Sequence, residues 1–434
     1  MAIDDGIKNA VQFQIKTLTL VGSNGSVIDL IEVMRELNIF EDLFGNYMTG
    51  SVFISDTQNI INLLPIIGTE HLVVSLIKPS TPWNITKTFR VYKITDRKKG
   101  SAFSEDYILH FCSEEAIINE SIKVSKAYIS MPVSDIIKDI ATNFLKIDLQ
   151  KFPSDSLTST VGNFDIIVPF WEPFYTINWL ARMARTGSDP GCSFLFFEDS
   201  KGYHFTSIEE LSQQDPIQSI NFMPMNFTGE SYEVSDTTIR HESAESYELG
   251  NAPDLMKSLS TGLYAGRLTR INPVSQRIET SSVGGDTMFD RADHLNENTF
   301  MQLDIDRTRK MKTEQFDSFF RLAADNLKAE TWILQRNAYM AGLHGFQLRV
   351  VIPGNMNLRV GQVVEMNLPA AMVGTQEKKP MDELYSGKYI LTAIRHKVDR
   401  DKYVCILELS KDSLKKPLPE PMGSNPAIDK IRGA

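Results

Sequence analysis

The chain has 434 residues, of which 42% are hydrophobic and 23% charged, a composition typical of globular proteins rather than disordered or membrane-spanning ones. One ordinary hydrophobic core does not suffice for a chain of this length, so we expect about two to four domains. Lysine and arginine number 45 against 55 for aspartate and glutamate, which gives a net charge of −10. This balance argues against a protein that binds DNA tightly by neutralising its phosphates. It is compatible with a protein along which nucleic acid moves without binding.

The cysteines, the first residues and the apolar segments indicate in which cellular compartment the protein is assembled. The three cysteines, Cys112, Cys192 and Cys405, are far apart in the sequence and odd in number, so neither a disulfide framework nor a zinc site is predicted. The first five residues lack the basic and apolar parts of a secretory signal. The longest apolar patch, residues 60–67, is far below the roughly 20 residues that cross a bilayer. We therefore expect assembly in a cytoplasm without membrane insertion.

Residues 1–125 predict one mainly antiparallel β domain. Residues 11–20 alternate between apolar and polar side chains, which is typical of a half-buried strand. The dipeptide Asn24-Gly25 follows them and is the strongest short hairpin signal in the chain. Further strands are predicted at residues 51–56, 72–76, 89–96 and 107–112.

The pattern changes at about Ser130, where apolar residues begin to recur at helical spacing. One helix is predicted from Val133 to Leu145, and a second begins near Pro173 and ends before Gly187. A strand, a polar turn and a second strand follow over residues 192–205. Residues 126–215 are therefore predicted to form a small α/β insertion.

Strands return in residues 216–410, which predict a second β domain with a long helix. The helix is predicted from an apolar stripe of about five turns. This stripe consists of Phe316, Phe320, Ala323, Leu327, Thr331 and Leu334. Further strands are predicted at residues 345–352, 360–366, 389–396 and 403–409.

The end of the chain, residues 411–434, is rich in proline and lysine and cannot build a core. Proline lacks an N–H donor and favours extended backbone, so we expect an extended arm. The arm is predicted to be disordered in the isolated chain and to lie against a neighbouring subunit or a partner protein in the assembly. Its basic residues Lys411, Lys415 and Lys416 are candidate interface residues.

A group of residues near the N-terminus carries a family resemblance. Asp42 stands beside Glu41 and Phe44, residues 50–56 form a predicted strand, and Leu64-Pro65-Ile66 leads to Gly68 and Glu70. In combination, these features resemble the hub proteins of contractile-tailed bacteriophage baseplates. The same fold family includes the base of the type VI secretion spike. The resemblance covers most of residues 10–410.

This resemblance implies an α+β, mainly β fold with two tail-tube-like antiparallel β-barrel domains and the α/β insertion between them. It also implies a homotrimeric ring that adapts a six-fold tail tube to a three-fold central spike. The implied partners are the trimeric spike protein, the tail tube protein, the tape-measure protein and other baseplate proteins, with DNA passing through the channel without specific binding. The protein would then belong to the baseplate of a virion tail, assembled in the host cytoplasm.

Catalytic motifs are absent from the sequence. It contains no HExxH, GxSxG or GxxxxGKS/T motif, and none of its seven histidines lies within five residues of another. No catalytic, cofactor-binding or metal-binding residue is therefore predicted. Trp83, close to Pro79 and Pro82, is predicted to lie on a surface loop and is a further candidate interface anchor.

Three alternatives to a phage hub stay open at this stage. A tail-tip cell-wall hydrolase needs two carboxylates across a cleft, and Glu41–Asp42 and Asp304–Asp306 are the carboxylate pairs available. A ligand-binding β protein is the second alternative. A component of the type VI secretion spike base is the third, and it shares the fold that the resemblance implies.

Overall fold

The computed structural model describes residues 13–63, 66–79, 82–100, 104–154, 156–187, 191–222, 243–251, 266–272, 277–283, 289, 293–299, 317–322, 332–370 and 381–417. The described chain is mainly β and contains one large sheet of 14 strands, three small sheets and several short helices. The predicted fold class, mainly β with some α structure, is confirmed.

The N-terminal part of the large sheet contains the strands predicted for residues 11–112. They are β1 Gln14–Val21, β2 Val27–Asp29, β3 Met34–Asp42, β4 Thr49–Asp56, β5 His71–Ile77, β6 Asn84–Lys99 and β7 Glu105–Cys112. Two helices, α1 Ile60–Leu63 and α2 Glu114–Ser121, accompany these strands. The hairpin predicted at Asn24-Gly25 joins β1 to β2, and Gly25 adopts φ +81°, which is the left-handed region that glycine tolerates.

The middle of the chain forms the predicted mixture of helices and strands. Its elements are β8 Val124–Pro132, α3 Val133–Asp139 continued by a π-helical turn at Ile140–Phe144, a 3-10 turn at Leu149–Lys151, β9 Asn163–Trp171, α4 Pro173–Ala181, β10 Phe194–Glu198, β11 Tyr203–Ser207 and α5 Ile208–Ser212. Pro173 occupies the first turn of α4, where its missing N–H has no helical partner to lose. Ile136, Ile177 and Phe194 are fully buried in a hydrophobic core separate from that of the large sheet.

The C-terminal part completes the large sheet. Its elements are β12 Ser219–Phe222, β13 Ser243–Ala244, β14 Ser246–Asn251, β15 Gly266–Asn272, β16 Arg277–Val283, β17 Asp317–Leu322, α6 Ile333–Leu343, β18 Phe346–Pro353, β19 Val363–Asn367, β20 Gly387–Asp399 and β21 Tyr403–Lys411. Strands β14, β18, β21 and β20 lie side by side in that order, and β19 pairs with the first residues of β20. Strands β15, β16 and β17 form a separate sheet.

The long helix predicted from the stripe that runs from Phe316 to Leu334 is wrong. Residues 317–322 form strand β17, which pairs in parallel with β15, and helix α6 begins only at Ile333. Phe316, Ala323, Leu327 and Thr331 lie outside the described residues. Aromatic residues suit a strand as well as a helix, and the backbone bonds to β15 outweigh the local helical spacing.

The same arrangement of five strands occurs twice in the large sheet. The first unit has the order β3–β4–β7–β6–β5, and the second has the order β14–β18–β21–β20–β19. Arg90 pairs with both β5 and β7, just as Ile390 pairs with both β19 and β21. A register shift follows at the same place in each unit, between Val91 and Lys93 and between Leu391 and Ala393. The two β-rich parts of the chain therefore repeat one strand order and one register.

The two units are joined edge to edge. Residues 393–399 of β20 pair antiparallel with residues 36–42 of β3, so the sheet continues without interruption from one unit into the other. One hydrophobic core lies behind both units and includes Leu37 and Ile39 from the first and Ile394 and Leu407 from the second. We call this pairing of β3 with β20 the internal joint.

Candidate functional site

The candidate interface residues fall in different environments. Trp83 lies in the turn between β5 and β6, where its ring is half-buried against the core and the Lys78 ammonium lies 5.2 Å from its centroid. Lys415 forms an ion pair with Glu365 at 2.8 Å, and Lys416 forms one with Glu383. The structure does not bring the four candidates together, and the role of Trp83, Lys415 and Lys416 as contacts to other proteins stays a prediction.

Lys411 is the last residue of β21, and its side chain is fully buried. The ammonium donates hydrogen bonds to the carbonyl oxygens of Leu384 at 2.6 Å and Ser386 at 3.2 Å. It also lies about 5 Å from the ring centroids of Phe346 and Tyr389. Burial lowers the pKa of Lys411 to about 7. This side chain holds its own fold together and is not open to another protein.

The predicted start of the C-terminal arm at residue 411 is also corrected. Asp412 accepts hydrogen bonds from the Leu295 N–H at 3.2 Å and contacts the His294 ring nitrogen at 2.6 Å. The Asn296 N–H donates to the Ser413 hydroxyl at 2.7 Å. Residues 411–414 are buried and their polar groups find partners inside the fold, which proline content alone does not reveal. Residues 418–434 lie outside the described part of the chain.

The residues that carry the family resemblance have defined structural roles. The Asp42 carboxylate accepts the Phe44 N–H and shapes the turn after β3. Gly50 lies so close to the Phe111 ring that a Cβ atom would approach it to 2.2 Å. The buried Glu70 carboxylate accepts the N–H groups at positions 67 and 68, and Gly68 has φ +99°. Each of these residues fixes a turn or a close approach of two strands.

Glu41 has the most consequential position of this group. It lies on the core side of β3 at the internal joint and is 1% exposed. Its carboxylate accepts the Ser200 N–H at 3.0 Å and the Val360 N–H at 3.3 Å, and it lies 3.8 Å from the His396 ring. Ser200 belongs to the turn between β10 and β11, whereas Val360 and His396 belong to the second unit. One carboxylate therefore contacts three parts of the fold.

Two further carboxylates at the tip of the β10–β11 hairpin extend this arrangement. Glu198 accepts the Met48 N–H at 3.0 Å and the Lys87 ammonium at 2.7 Å, both from the first unit. Asp199 lies 3.6 Å from the Arg359 guanidinium of the second unit. Burial disfavours the charged form of Asp199, but His204 and Arg359 lower its pKa overall. We call Glu41, Glu198 and Asp199 the carboxylate junction.

Neighbouring contacts reinforce the carboxylate junction. Asn46 and Asn178 exchange two side-chain hydrogen bonds at 3.0 and 2.8 Å, and Asn46 also donates to the Phe196 carbonyl. The Tyr47 ring stacks on Phe174 with centroids 5.7 Å apart. The loop between β3 and β4 is therefore bound to α4 and β10 of the middle segment. Sequence reasoning did not identify this site, because most of its contacts join residues more than 100 positions apart.

A cleft of about 560 Å³ opens beside the junction, between the loop after β3 and the strands of the second unit. The residues that line it include Phe40, Glu41, Asp42, Tyr47, Arg349, Arg395 and Glu408. Both charge signs occur in this cleft, and its aromatic side chains are partly exposed. The cleft therefore lies on the face of the joined sheet that points away from the core.

Cys405, His396 and Glu41 are the residue types of a nucleophilic triad. The Cys405 sulfur lies 3.5 Å from Nδ1 of His396, and Nε2 of His396 faces Glu41. Burial opposes protonation of His396, but Cys405 and Glu41 raise its pKa to about 10. All three side chains are at most 1% exposed, so no substrate reaches the sulfur. The group therefore stabilises the internal joint and does not form an active site.

Neither a metal site nor a membrane span is found in the described ranges. No cluster of three or more metal-ligating side chains occurs there. None of the helices in those ranges is long and apolar enough to cross a bilayer.

Comparison with known proteins identifies the relatives of this chain. No family model matches it. A probable baseplate hub protein, gp334 of Vibrio phage KVP40, is 22% identical over 398 residues, which cover 88% of this chain and 90% of gp334. This chain is a relative of phage baseplate hub proteins. The resemblance seen in the sequence is confirmed.

Two solved structures share the fold of this hub relative. The 43 kDa tail protein of prophage MuSo2 from Shewanella oneidensis is 9% identical and aligns with 92% of this chain and 99% of its own length, with a TM-score of 0.52. The tail protein from Neisseria meningitidis MC58 is 10% identical and aligns over 91% and 96%, with a TM-score of 0.50.

The carboxylate junction makes a stability prediction. Glu41→Gln removes a buried charge that three parts of the fold share, and it leaves His396 without its carboxylate. We expect the free energy of unfolding in urea to fall by about 3–5 kcal/mol. Asp42→Asn is the matched control, because an exposed neighbour that keeps its acceptor oxygen should change stability by less than about 0.5 kcal/mol. Equal urea midpoints for Glu41→Gln and the parent would contradict the prediction.

Lys411 makes a pH prediction. Its pKa of about 7 lies below the 10.5 of a free lysine, so between these values the unfolded chain binds more protons than the folded one. The stability of the parent relative to Lys411→Met should therefore rise with pH, by up to about 1.4 kcal/mol per unit between pH 7.5 and 9.5. Urea unfolding across this range measures the difference. Lys415→Met, which removes an exposed ion pair, should show the same pH dependence of stability as the parent. A pH profile of Lys411→Met that runs parallel to that of the parent would refute the pKa shift of Lys411.

Proposed function

We propose that this chain is a structural baseplate hub protein of a phage tail and that three copies form a ring with a central channel. The repeated five-strand unit carries the proposal. Three copies of a chain with two similar units present six units, so one face of the ring matches a six-fold tail tube. The chains themselves keep three-fold symmetry, which matches a trimeric spike on the other face.

The proposed roles of the three parts of the chain follow from the two hydrophobic cores. Residues 1–125 and 216–410 are proposed as the two tube-like domains, and residues 126–215 as the insertion that braces them. The carboxylate junction supports this division, since it ties the hairpin that contains Glu198 and Asp199 to both units at the internal joint. The tape-measure protein and DNA are the proposed occupants of the channel, and other baseplate proteins contact the outside of the ring.

The open face of the joined sheet is the proposed channel wall. The path β6–β7–β4–β3–β20–β21–β18–β14 contains eight strands, and side chains alternate along them between the core and this open face. Three copies supply about 24 strands, which at about 4.8 Å per strand close a cylinder about 37 Å across, or about 48 Å when strands tilt by roughly 40°. A cylinder of this width accommodates a DNA duplex.

The charges on the open face support the proposal that DNA passes through the channel without binding to its wall. The acidic side chains there are Glu36, Asp42, Asp106, Glu248, Asp399 and Glu408, and the basic ones are Lys93, Lys98, Arg349, Arg395 and Lys397. Arg90, which lies opposite Cys112 on the same face, brings the basic groups to six, so the two signs are balanced. A wall that is neutral or slightly acidic releases few counterions from DNA and therefore holds it weakly.

The ring makes an assembly prediction. At high protein concentration, light scattering should give the mass of three chains for the protein alone, and the mass of three chains plus the trimeric spike when the spike protein is added. Negative-stain images should show a ring with a central channel. A chain that stays monomeric in both conditions would contradict the proposal, because a hub without subunit contacts cannot join a tube to a spike.

The wall makes a DNA-binding prediction. The assembled protein should show no saturable binding to duplex DNA at about 1 µM protein and low salt, as measured by fluorescence anisotropy. Replacing Asp42 and Glu408 with lysine should create binding that weakens steeply as salt rises. Tight, salt-sensitive binding by the parent would refute the proposed wall.

A further inference from the structure

A short segment crosses the residues that follow β21 and holds them in place. The N–H of Asn298 donates to the Leu414 carbonyl at 3.0 Å, and the N–H of Leu414 donates back to the Asn298 carbonyl at 2.6 Å. The Asn296 side chain donates to the Lys388 carbonyl at 3.1 Å and accepts the Lys388 N–H at 3.0 Å. We call residues 293–298 the clasp, because they tie the first residues of β20 to the residues that follow β21.

His294 connects the clasp to its surroundings through both ring nitrogens. Nδ1 lies 2.6 Å from a carboxylate oxygen of Asp412, and Nε2 lies 2.8 Å from the backbone carbonyl oxygen of Phe289. The imidazole ring is stacked between the Phe289 ring, with centroids 3.8 Å apart, and the Tyr339 ring of α6, with centroids 5.5 Å apart. Only 12% of the His294 side chain is exposed, so water has little access to either nitrogen.

Both partners of this ring act as acceptors. A carbonyl oxygen carries no proton, so Nε2 must donate to Phe289. The second carboxylate oxygen of Asp412 accepts the Leu295 N–H at 3.2 Å and the Ser413 hydroxyl at 2.7 Å, as an ionised carboxylate does. Nδ1 must therefore donate as well, and an imidazole that donates through both nitrogens is the protonated, positively charged form. The aromatic faces on either side of the ring favour the same charge.

The groups around His294 also favour its charged form. The titratable groups that face it are Asp412 after β21, Asp293 of the clasp and Tyr339 of α6. Burial raises the pKa of Tyr339 well above its usual value, so this phenol stays neutral. The Lys411 ammonium points to two backbone carbonyl groups instead. Burial alone lowers the pKa of His294, but the hydrogen bonds to Asp412 and to a backbone carbonyl raise it overall.

We propose that His294 is a pH-dependent latch for the C-terminal end of the chain. As an imidazolium it holds the clasp across residues 412–415, and when the ring loses a proton, one of its two acceptors loses its donor. The clasp then opens, and the segment after Lys411 separates from the fold. The latch thereby controls whether Lys415 and Lys416 are held to this chain or are free to contact another protein. All of these contacts lie within one chain, so the latch operates whether or not the ring forms.

The raised pKa of His294 sets the direction of the pH effect. Histidine in an unfolded chain has a pKa of about 6.5, so the latch contributes its full stability below that pH. The contribution is lost as pH rises through the higher pKa of the folded chain. Lys411 acts in the opposite direction, because burial lowers its pKa and the stability of the parent relative to Lys411→Met rises with pH. The sign of the pH profile therefore distinguishes the two neighbouring groups.

Hydrogen exchange measured by mass spectrometry tests the latch in the full-length chain. The N–H groups of Leu295 and Leu414 donate to Asp412 and to Asn298, so their exchange reports whether the clasp is closed. Each variant is compared with the parent at the same pH, which cancels the effect of pH on the chemical step of exchange. At about pH 6, His294→Gln should exchange faster than the parent at these two positions. The ratio of the two rates should fall as pH rises to about 9, by about tenfold for each unit by which folding raises the pKa of His294.

Three further variants separate the charge of the latch from its shape. His294→Arg supplies a planar group that stays charged and stacks on aromatic rings, so its clasp should stay closed across the whole pH range. Asp412→Asn keeps the shape of the acceptor but removes its charge, so its exchange rate relative to the parent should fall with pH as that of His294→Gln does. His71→Gln is the matched control, because His71 is a partly exposed histidine on β5 of the first unit, and it should exchange like the parent.

The protonation state of His294 is a second, independent measurement. NMR of the parent with ¹³C-labelled histidine rings should show one ring that titrates above the usual histidine pKa and that is missing from the spectrum of His294→Gln. Asp412→Asn should lower the pKa of that ring. A His294 ring that titrates at or below about 6.5 would overturn the latch. Exchange-rate ratios that stay constant between about pH 6 and 9 would overturn it as well.

Discussion

The internal joint between β3 and β20, with the Glu41 carboxylate beneath it, is the constraint on which the rest of the structure depends. A buried carboxylate is stable only where donors and a positive charge surround it. Glu41 finds them in Ser200, Val360 and His396, which belong to different parts of the chain. Both units and the β10–β11 hairpin must therefore be in place together before this charge is satisfied, so the joint couples the folding of all three.

The buried charged groups of this protein serve assembly of the fold rather than chemistry. Cys405, His396 and Glu41 have the composition of an active site, but the sheet covers them completely. Lys411 has a depressed pKa, but its ammonium is enclosed by two carbonyl groups and two rings. Both groups therefore make rigid contacts inside the fold, between segments that are far apart in the sequence.

Local patterns in the sequence predicted most individual elements. Alternation marks β1, Asn24-Gly25 marks the first hairpin, and helical spacing with Pro173 marks the helices of the middle segment, because each signal arises within about ten neighbouring residues. The failed helix prediction at residues 317–322 shows the limit of this reasoning. A short apolar stretch is compatible with the period of a helix and with that of a strand, and its pairing with β15 makes it a strand. The motif around Glu41 and Gly50 indicated the family, but the sequence did not show what these residues do in the fold.

The sequence by itself determined the mainly β class, the strand positions, the α/β character of the middle segment and the relation to hub proteins. Only the tertiary structure decided which strands meet, and with them the repeat of the five-strand unit, the carboxylate junction and the burial of Lys411. The physical reason is sequence distance: Phe40 and Arg395 pair across more than 350 residues. The alternation of apolar side chains determines which face of a strand is buried, but backbone hydrogen bonds are the same for every residue type, so a local pattern does not specify which distant strand is the neighbour.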